Sequence, residues 1–556
     1  MKKITLLFSL LFTFSLFSQQ EDAWLFLKDK PNAATFLANP LTMLSQRAID
    51  RRNNQNIDLE LSDVPIDENY YNQLKNEGNI VVLGKSKWLN AIHIQGTKTN
   101  IEAVFSSLSF INKIKFANKS FNNLANKSIK KANHYNKFKT SQSTFNYGST
   151  SNQIKILKGD YLHAQGLTGE GQMIAVIDAG FPNVDVLPAF QRLRGHQKIL
   201  GGYDFVERNT NFYSGNNHGT NVLSTIGGYL ENEFVGTAPN ASFYLFRTEN
   251  AAVEVPLEET LWVEAAERAD SLGVDIINTS LGYSTFDNPN YNYAYSDMDG
   301  KTAFITRGAE IAANKGILVV NSAGNSGNDL WKYITAPADA PSVITVGAVD
   351  SKGNIASFSS FGPTADGRVK PEILAQGVNA AVISHSNGAI ISSNGTSFSS
   401  PIMAGLIACL NQHKGFILKS ARNQSFKDSH NFNEFLKKAV YESADRFSNP
   451  EAQFGYGIPN FELAFNNYVA SLSIEENLLE IVKITPNPIS TTFKIEGIQS
   501  NFKNYTLQIF DLLGKQVFQQ KQIFSDDLNI SFLENGIYFL RISKGNQYKT
   551  IKIIKN

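Results

Sequence analysis

The sequence predicts a doubly wound, mostly parallel α/β sheet, preceded by a small α+β unit and followed by a small all-β sandwich. Three observations point there. Between about residues 151 and 468, short apolar runs alternate with helical patterns, which is how strands covered by helices on both faces read. Several of those runs lead into a polar residue, Asp178, Ser280 or Asn325, and such sheets collect their chemistry beyond the carboxyl ends of the strands. From about residue 482 the texture changes to period-two alternation punctuated by turn residues.

The chain begins Met1-Lys2-Lys3, followed by an almost wholly apolar run from Ile4 to Phe17 and then Ser18-Gln19-Gln20. That run is too short to span a bilayer and fits a secretory signal over 1–18. No later stretch reaches the roughly 18 uninterrupted apolar residues of a membrane helix, so the sequence predicts an exported chain without a transmembrane helix. Lys and Arg number 51 against 50 Asp and Glu, a net charge of +1, so no global field points to nucleic acid. The single cysteine, Cys409, cannot form an internal disulfide and reads as a packed core residue.

Residues 19–117 read as the α+β unit. Ile80–Leu83 and Ala91–Ile94 look like strands, Asn100–Leu108 has helical spacing, and Phe110–Phe116 alternates. Residues 118–150 turn to Asn, Lys, Ser and Thr and read as an exposed, cleavable linker. In the large unit, 151–468, strands are expected at Met173–Ile177, Phe243–Phe246, Val274–Asn278, Ile317–Val320 and Ser342–Val346, with helices over Glu258–Leu272 and Thr302–Asn314. Gly166, Gly169 and Gly171 precede a strand instead of following one, so they do not form a dinucleotide cradle. A polar linker, 469–481, leads to the β unit at 482–556, where Gly545-Asn546 is a hairpin signal.

Acyl transfer needs a nucleophile, a base to take its proton, an acid to hold that base, and donors for the oxyanion. Ser397, in Asn394-Gly395-Thr396-Ser397-Phe398-Ser399-Ser400-Pro401, stands between a glycine turn and the apolar run Ile402–Leu410. A hydroxyl there sits at a helix N-terminus, whose orphan N–H groups and dipole favour developing negative charge. Pro401 is expected in the first helical turn, where a missing N–H is tolerated. Asp178 closes an apolar strand, His218 opens a helix with Gly219 leaving room for substrate, and Asn325 lies in a glycine-rich turn. Singly, each has an ordinary structural role as cap or turn residue. Together, in the order Asp, His, Ser, they match the needs of acyl transfer.

Residues 151–468 resemble a subtilisin-like serine protease, a subtilase. The resemblance is carried by Ile177-Asp178-Ala179-Gly180, His218-Gly219-Thr220, Asn278-Thr279-Ser280-Leu281-Gly282, Ser322-Ala323-Gly324-Asn325, Gly395-Thr396-Ser397 and Ser400-Pro401. It implies that Ser397 attacks, His218 is the base, Asp178 orients it, and Asn325 with the Ser397 N–H holds the oxyanion. It also implies that Ser280, Leu281 and Gly282 pair with substrate as an added strand and, with Ser322, Ala323 and Gly324, border the specificity pocket. Neither wall carries an acid, so apolar side chains are expected there. Phe398 departs from the family, where Met is frequent. No cofactor is implied for the chemistry. Structural calcium is compatible with the family, but the sequence has no EF-hand-type Asp-rich loop, so no ligands are assigned.

Residues 19–117 resemble, less specifically, a subtilase propeptide. The tail resembles the C-terminal sorting domain of the type IX secretion route through Pro486-Asn487-Pro488, Asp511–Gly514, Gly536–Phe539 and Lys549, Lys552 and Lys555. The whole is expected to be a secreted serine endopeptidase made as a zymogen. Its expected partners are protein or peptide substrates and the secretion machinery. The competing reading is a surface-binding or adhesion protein on an inactive subtilase scaffold. A lipase or esterase is set aside, since the Gly-x-Ser-x-Gly elbow is absent.

Overall fold

The computed structural model describes residues 19–122, 145–420, 432–472, 482–496, 505–521, 527–544 and 547–556. The signal segment 1–18, the middle of the 118–150 linker, most of the 469–481 linker and the Gly545-Asn546 turn lie outside the described residues. Two compact units divide between Tyr468 and Val469.

The first unit opens with a four-stranded antiparallel sheet: β1 (Gln20–Leu27), β2 (Ile80–Ser86), β3 (Ala91–Thr97) and β4 (Ile111–Phe116), in the order β2-β3-β1-β4. β1 carries no sequence signal because both of its faces are covered, which erases alternation. Ala23 and Leu25 enter the sheet's own core. Trp24 points the other way, donating from Nε1 to Thr260 Oγ1 at 2.9 Å and stacking on Phe304 with ring centroids 4.8 Å apart. A helix, α1 (Gln46–Asn53), is capped by Ser45, whose Oγ accepts from Ala48 N. The linker is anchored at both ends: Lys119 Nζ donates to Asn292 O at 2.9 Å and to Asp297 Oδ2 at 2.6 Å, and Tyr147 is buried near Thr150, whose Oγ1 donates to Val235 O at 2.8 Å. Residues 145–150 therefore pack against the large α/β unit.

The large sheet has seven strands, all parallel: β5 (Met173–Asp178), β6 (Ile199–Asp204), β7 (Ser242–Arg247), β8 (Ile276–Thr279), β9 (Leu318–Ser322), β10 (Ile344–Val349) and β11 (Ile373–Gln376). Their order is β11-β10-β9-β8-β5-β7-β6. The chain leaves β7 on one side of β5 and returns at β8 on the other, creating a switch point beside β5. Thr279 pairs with Ile177 and with Asn321, so Asp178, Ser280 and Ser322 emerge level at one edge.

Four helices matter to the site: α2 (His218–Gly227), α3 (Pro256–Leu272), α4 (Phe304–Asn314) and α5 (Thr396–Ser420). α5 runs on well past the apolar stretch that announced it. The glycine-rich loop before β5 is filled from within: Gln412 Oε1 on α5 accepts the N–H groups of Thr168, Gly169 and Glu170 at 2.9, 2.9 and 3.1 Å. Cys409 is wholly buried, with its thiol donating to Thr237 O and its pKa pushed up by burial.

The tail consists of β12 (Lys483–Thr485), β13 (Thr492–Glu496), β14 (Thr506–Phe510), β15 (Gln516–Lys521), β16 (Asp527–Asn529), β17 (Gly536–Lys544) and β18 (Gln547–Lys555). Two antiparallel sheets, β12-β13-β16 and β15-β14-β17-β18, close over one core that includes Phe493, Leu507, Leu540 and Ile553. Asp511 Oδ1 accepts from Leu513 N and Lys515 N, shaping the expected turn. Asn487 clips the Pro-Asn-Pro segment to the last strand through Lys552 O and Ile554 N.

Candidate active site

β5 delivers Asp178, which is 2 % exposed, to the carboxyl edge of the sheet. Its Oδ1 accepts from His218 Nδ1 at 2.7 Å and from Ala179 N at 2.7 Å. That bond fixes the tautomer, leaving Nε2 as the free base nitrogen. Burial lowers the pKa of His218, but the charge and hydrogen bond of Asp178, helped by Glu249, outweigh it, and the net direction is up. Gly219 has a different reason from the one expected. A Cβ there would lie 2.4 Å from Gly180 O and 3.0 Å from Asp178 Cβ, so glycine lets α2 begin against the turn that carries the acid.

Ser397 is the second residue of α5 and 8 % exposed. Its hydroxyl donates to Ser280 O at 3.3 Å, and Ser280 Oγ donates back to Ser397 O at 2.9 Å. The second contact corrects the reading of Pro401. The proline is the sixth residue of the helix, past the first turn. It lacks the N–H that would bond Ser397 O, and Ser280 Oγ supplies the missing donor. Asn278 Oδ1 accepts from Ser400 Oγ at 3.1 Å, fastening the same turn to β8.

Asn325 is oriented by its neighbour. Its Oδ1 accepts both Thr396 N at 2.8 Å and Thr396 Oγ1 at 2.9 Å, which leaves the amide nitrogen as a donor beside Ser397. Phe398, in place of the frequent Met, is 4 % exposed, and its ring centroid lies 6.0 Å from that of His218. The hydroxyl of Ser397 is not hydrogen-bonded to His218; such bonds commonly tighten only around substrate.

A cleft of about 510 Å³ joins Ser397 and Asn325 to Ser280, Leu281, Gly282, Ser322 and Gly324. Ala323 lies behind it, wholly buried with Ile334 and Ala338. Asn321, which sequence reasoning passed over, ties the two walls through Nδ2 to Leu281 O at 3.3 Å and Ser322 O at 2.6 Å. The walls expected from the sequence carry no charge, but Glu254 and Asp287 also line the cleft. No local pattern gave them a site role.

The family model of the subtilase family matches residues 169–457. The Bacteroidota peptidase S8 propeptide domain matches 22–136, and the secretion system C-terminal sorting domain matches 483–556. Subtilisin DY of Bacillus licheniformis is 34% identical over 262 residues, covering 46% of this chain and 82% of that protein. Serine protease AprX of Bacillus subtilis (strain 168) is 32% identical over 279 residues, covering 45% of this chain and 59% of AprX. The solved structure of the prenylagaramide maturation protease PagA aligns at 22% identity with a TM-score of 0.43, covering 56% and 98% of the two chains. With its Asp, His and Ser blocks in one edge of a parallel sheet and the family match spanning more than half of its length, this chain belongs to the subtilase family.

Proposed function

We propose that Asp178, His218, Ser397 and Asn325 are the groups with which this secreted subtilisin-family serine endopeptidase hydrolyses peptide bonds. Ser397 Oγ attacks the scissile carbonyl while its proton passes to His218 Nε2. The carbonyl electrons move onto oxygen, between the Asn325 amide and the Ser397 N–H. Collapse of that intermediate breaks the peptide bond, and His218 gives its proton to the leaving amine. Water then repeats the sequence on the acyl-enzyme. Asp178 holds the imidazole in place and stabilises it when charged. Ser280, Leu281, Gly282, Ser322 and Gly324 would border the bound peptide, with backbone pairing along 280–282.

The supporting observation is the 2.7 Å bond from His218 Nδ1 to Asp178, at the same sheet edge as a serine placed at a helix N-terminus. The chain is made with a propeptide, here read as 19–117, followed by the 118–150 linker. Propeptide and peptidase share one core, in which Trp24, Trp88 and Leu89 pack with Trp262 and Phe304. The sorting domain directs export to the cell surface or beyond, and the type IX machinery is its proposed partner. Calcium, where present, would be structural. An adhesion role on an inactive scaffold is not favoured, since the sequence keeps every residue type the mechanism needs, in the family's order. A fluorophosphonate probe should label the matured protein at Ser397, and full labelling of a Ser397→Ala variant rejects the assignment.

A further inference from the structure

We infer that Glu249 is a positioning residue of this active site: it ties the substrate-pairing segment to the end of β7, whose next residue bonds the backbone of Asp178. The inference rests on the triad reading above. Thr248, directly after β7, donates its N–H to Asp178 O at 3.1 Å, so Glu249 begins beside the catalytic acid. Its Oε1 accepts from Thr248 Oγ1 at 3.1 Å and from Tyr283 Oη at 2.6 Å. Tyr283 follows Gly282, is 1 % exposed, and exchanges backbone hydrogen bonds with Ala336 at 2.8 and 3.0 Å. A phenol donating to a carboxylate is a charge-assisted bond. It connects the end of β7 to the segment on which a peptide would lie, and Glu249 itself does not line the cleft.

The titratable groups around it are Asp178 at the end of β5, His218 at the start of α2, Tyr283, and Glu254 and Glu258 leading into α3. Burial raises the Glu249 carboxyl to about 7, opposed by the bonds from Tyr283 and Thr248. Asp178 pushes it further up and His218 pulls it down. His218 must be neutral to take the serine proton and charged once it has it. A carboxylate at Glu249 favours the charged form.

Three variants separate charge from tether. Glu249→Gln keeps an acceptor oxygen for Tyr283 and removes the charge. The acid limb of its kcat/KM profile should move to lower pH by about half a unit, and kcat on the plateau should fall about threefold with KM unchanged. Glu249→Asp should restore the limb. Tyr283→Phe keeps the charge and removes the tether, and KM should rise several-fold. Counting active sites with a fluorophosphonate removes any misfolded fraction. A Glu249→Gln limb that superimposes on the parent's overturns the charge role, and an unchanged KM in Tyr283→Phe overturns the tether. Either failure, with Ser397→Ala still unlabelled, leaves the triad reading intact; labelling of Ser397→Ala would instead reject that reading.

Discussion

Replacing Arg52 by Met should loosen the propeptide from the peptidase about a hundredfold. Arg52 is 1 % exposed on α1, with Nη1 2.8 Å from Asp63 of the propeptide and Nη2 2.6 Å from Asp270 on α3. Asp270 also receives Arg51 at 2.5 Å, and Asp63 also receives Lys315, just past the end of α4, at 2.8 Å. Burial alone would raise Asp63, yet Arg52 and Lys315 hold it down at about 2. Removing one partner of a buried pair costs about 3–5 kcal/mol. Each carboxylate keeps a second cation here, so the lower end applies, about 3 kcal/mol or a factor of about 10² in affinity. The assay uses a Ser397→Ala zymogen with one exogenous protease site placed in the linker. After cutting and dilution, released propeptide is measured by size exclusion. The parent pair should stay together at concentrations where the Arg52→Met pair separates. Equal retention by a folded Arg52→Met protein would refute the claim that this network holds the two parts together.

Asn325→Ala should lower kcat by about 10²–10³ with little change in KM, because its amide meets charge that develops only in the transition state; a loss appearing in KM instead would contradict this. Ser280→Ala leaves Ser397 O facing a proline with no donor, and urea unfolding should show a loss of about 1–3 kcal/mol. Glu267 accepts from Ser86 Oγ and Trp88 N across the propeptide contact, and burial raises its pKa to about 7 despite nearby Lys87. A carboxyl raised on docking favours the docked state at low pH. Retention should therefore weaken as pH rises from about 4.5 through 7, and Glu267→Gln should flatten that dependence.

Asp178, His218, Asn325 and Ser397 are legible because each sits where local chain chemistry announces it: a strand end, a helix start, a glycine turn. The roles of their supports are not, because those depend on partners far away in sequence. Ser280 reads as a substrate wall, and its hydroxyl also stands in for the N–H that Pro401 lacks. Arg51 and Arg52 carry no local signal for burial, yet both are buried against Asp270, more than 200 residues away in the chain. β1 carries no alternation because Trp24 reaches across to Thr260 while its neighbours fill the propeptide. Glu249, two residues past a strand, has no local signal for a role, which comes from Tyr283, 34 residues on, donating to its carboxylate.

The Gln412 clasp on Thr168, Gly169 and Glu170 fastens the middle of the nucleophile's helix to the entry of the acid's strand. Ser280 holds the same helix at its N-terminal end, through Ser397, next door to that strand's exit. A rod pinned at two places can neither slide nor swivel. The alignment of alcohol and carboxylate should then survive warming until the whole sandwich of layers melts, and turnover and structure should vanish at one temperature.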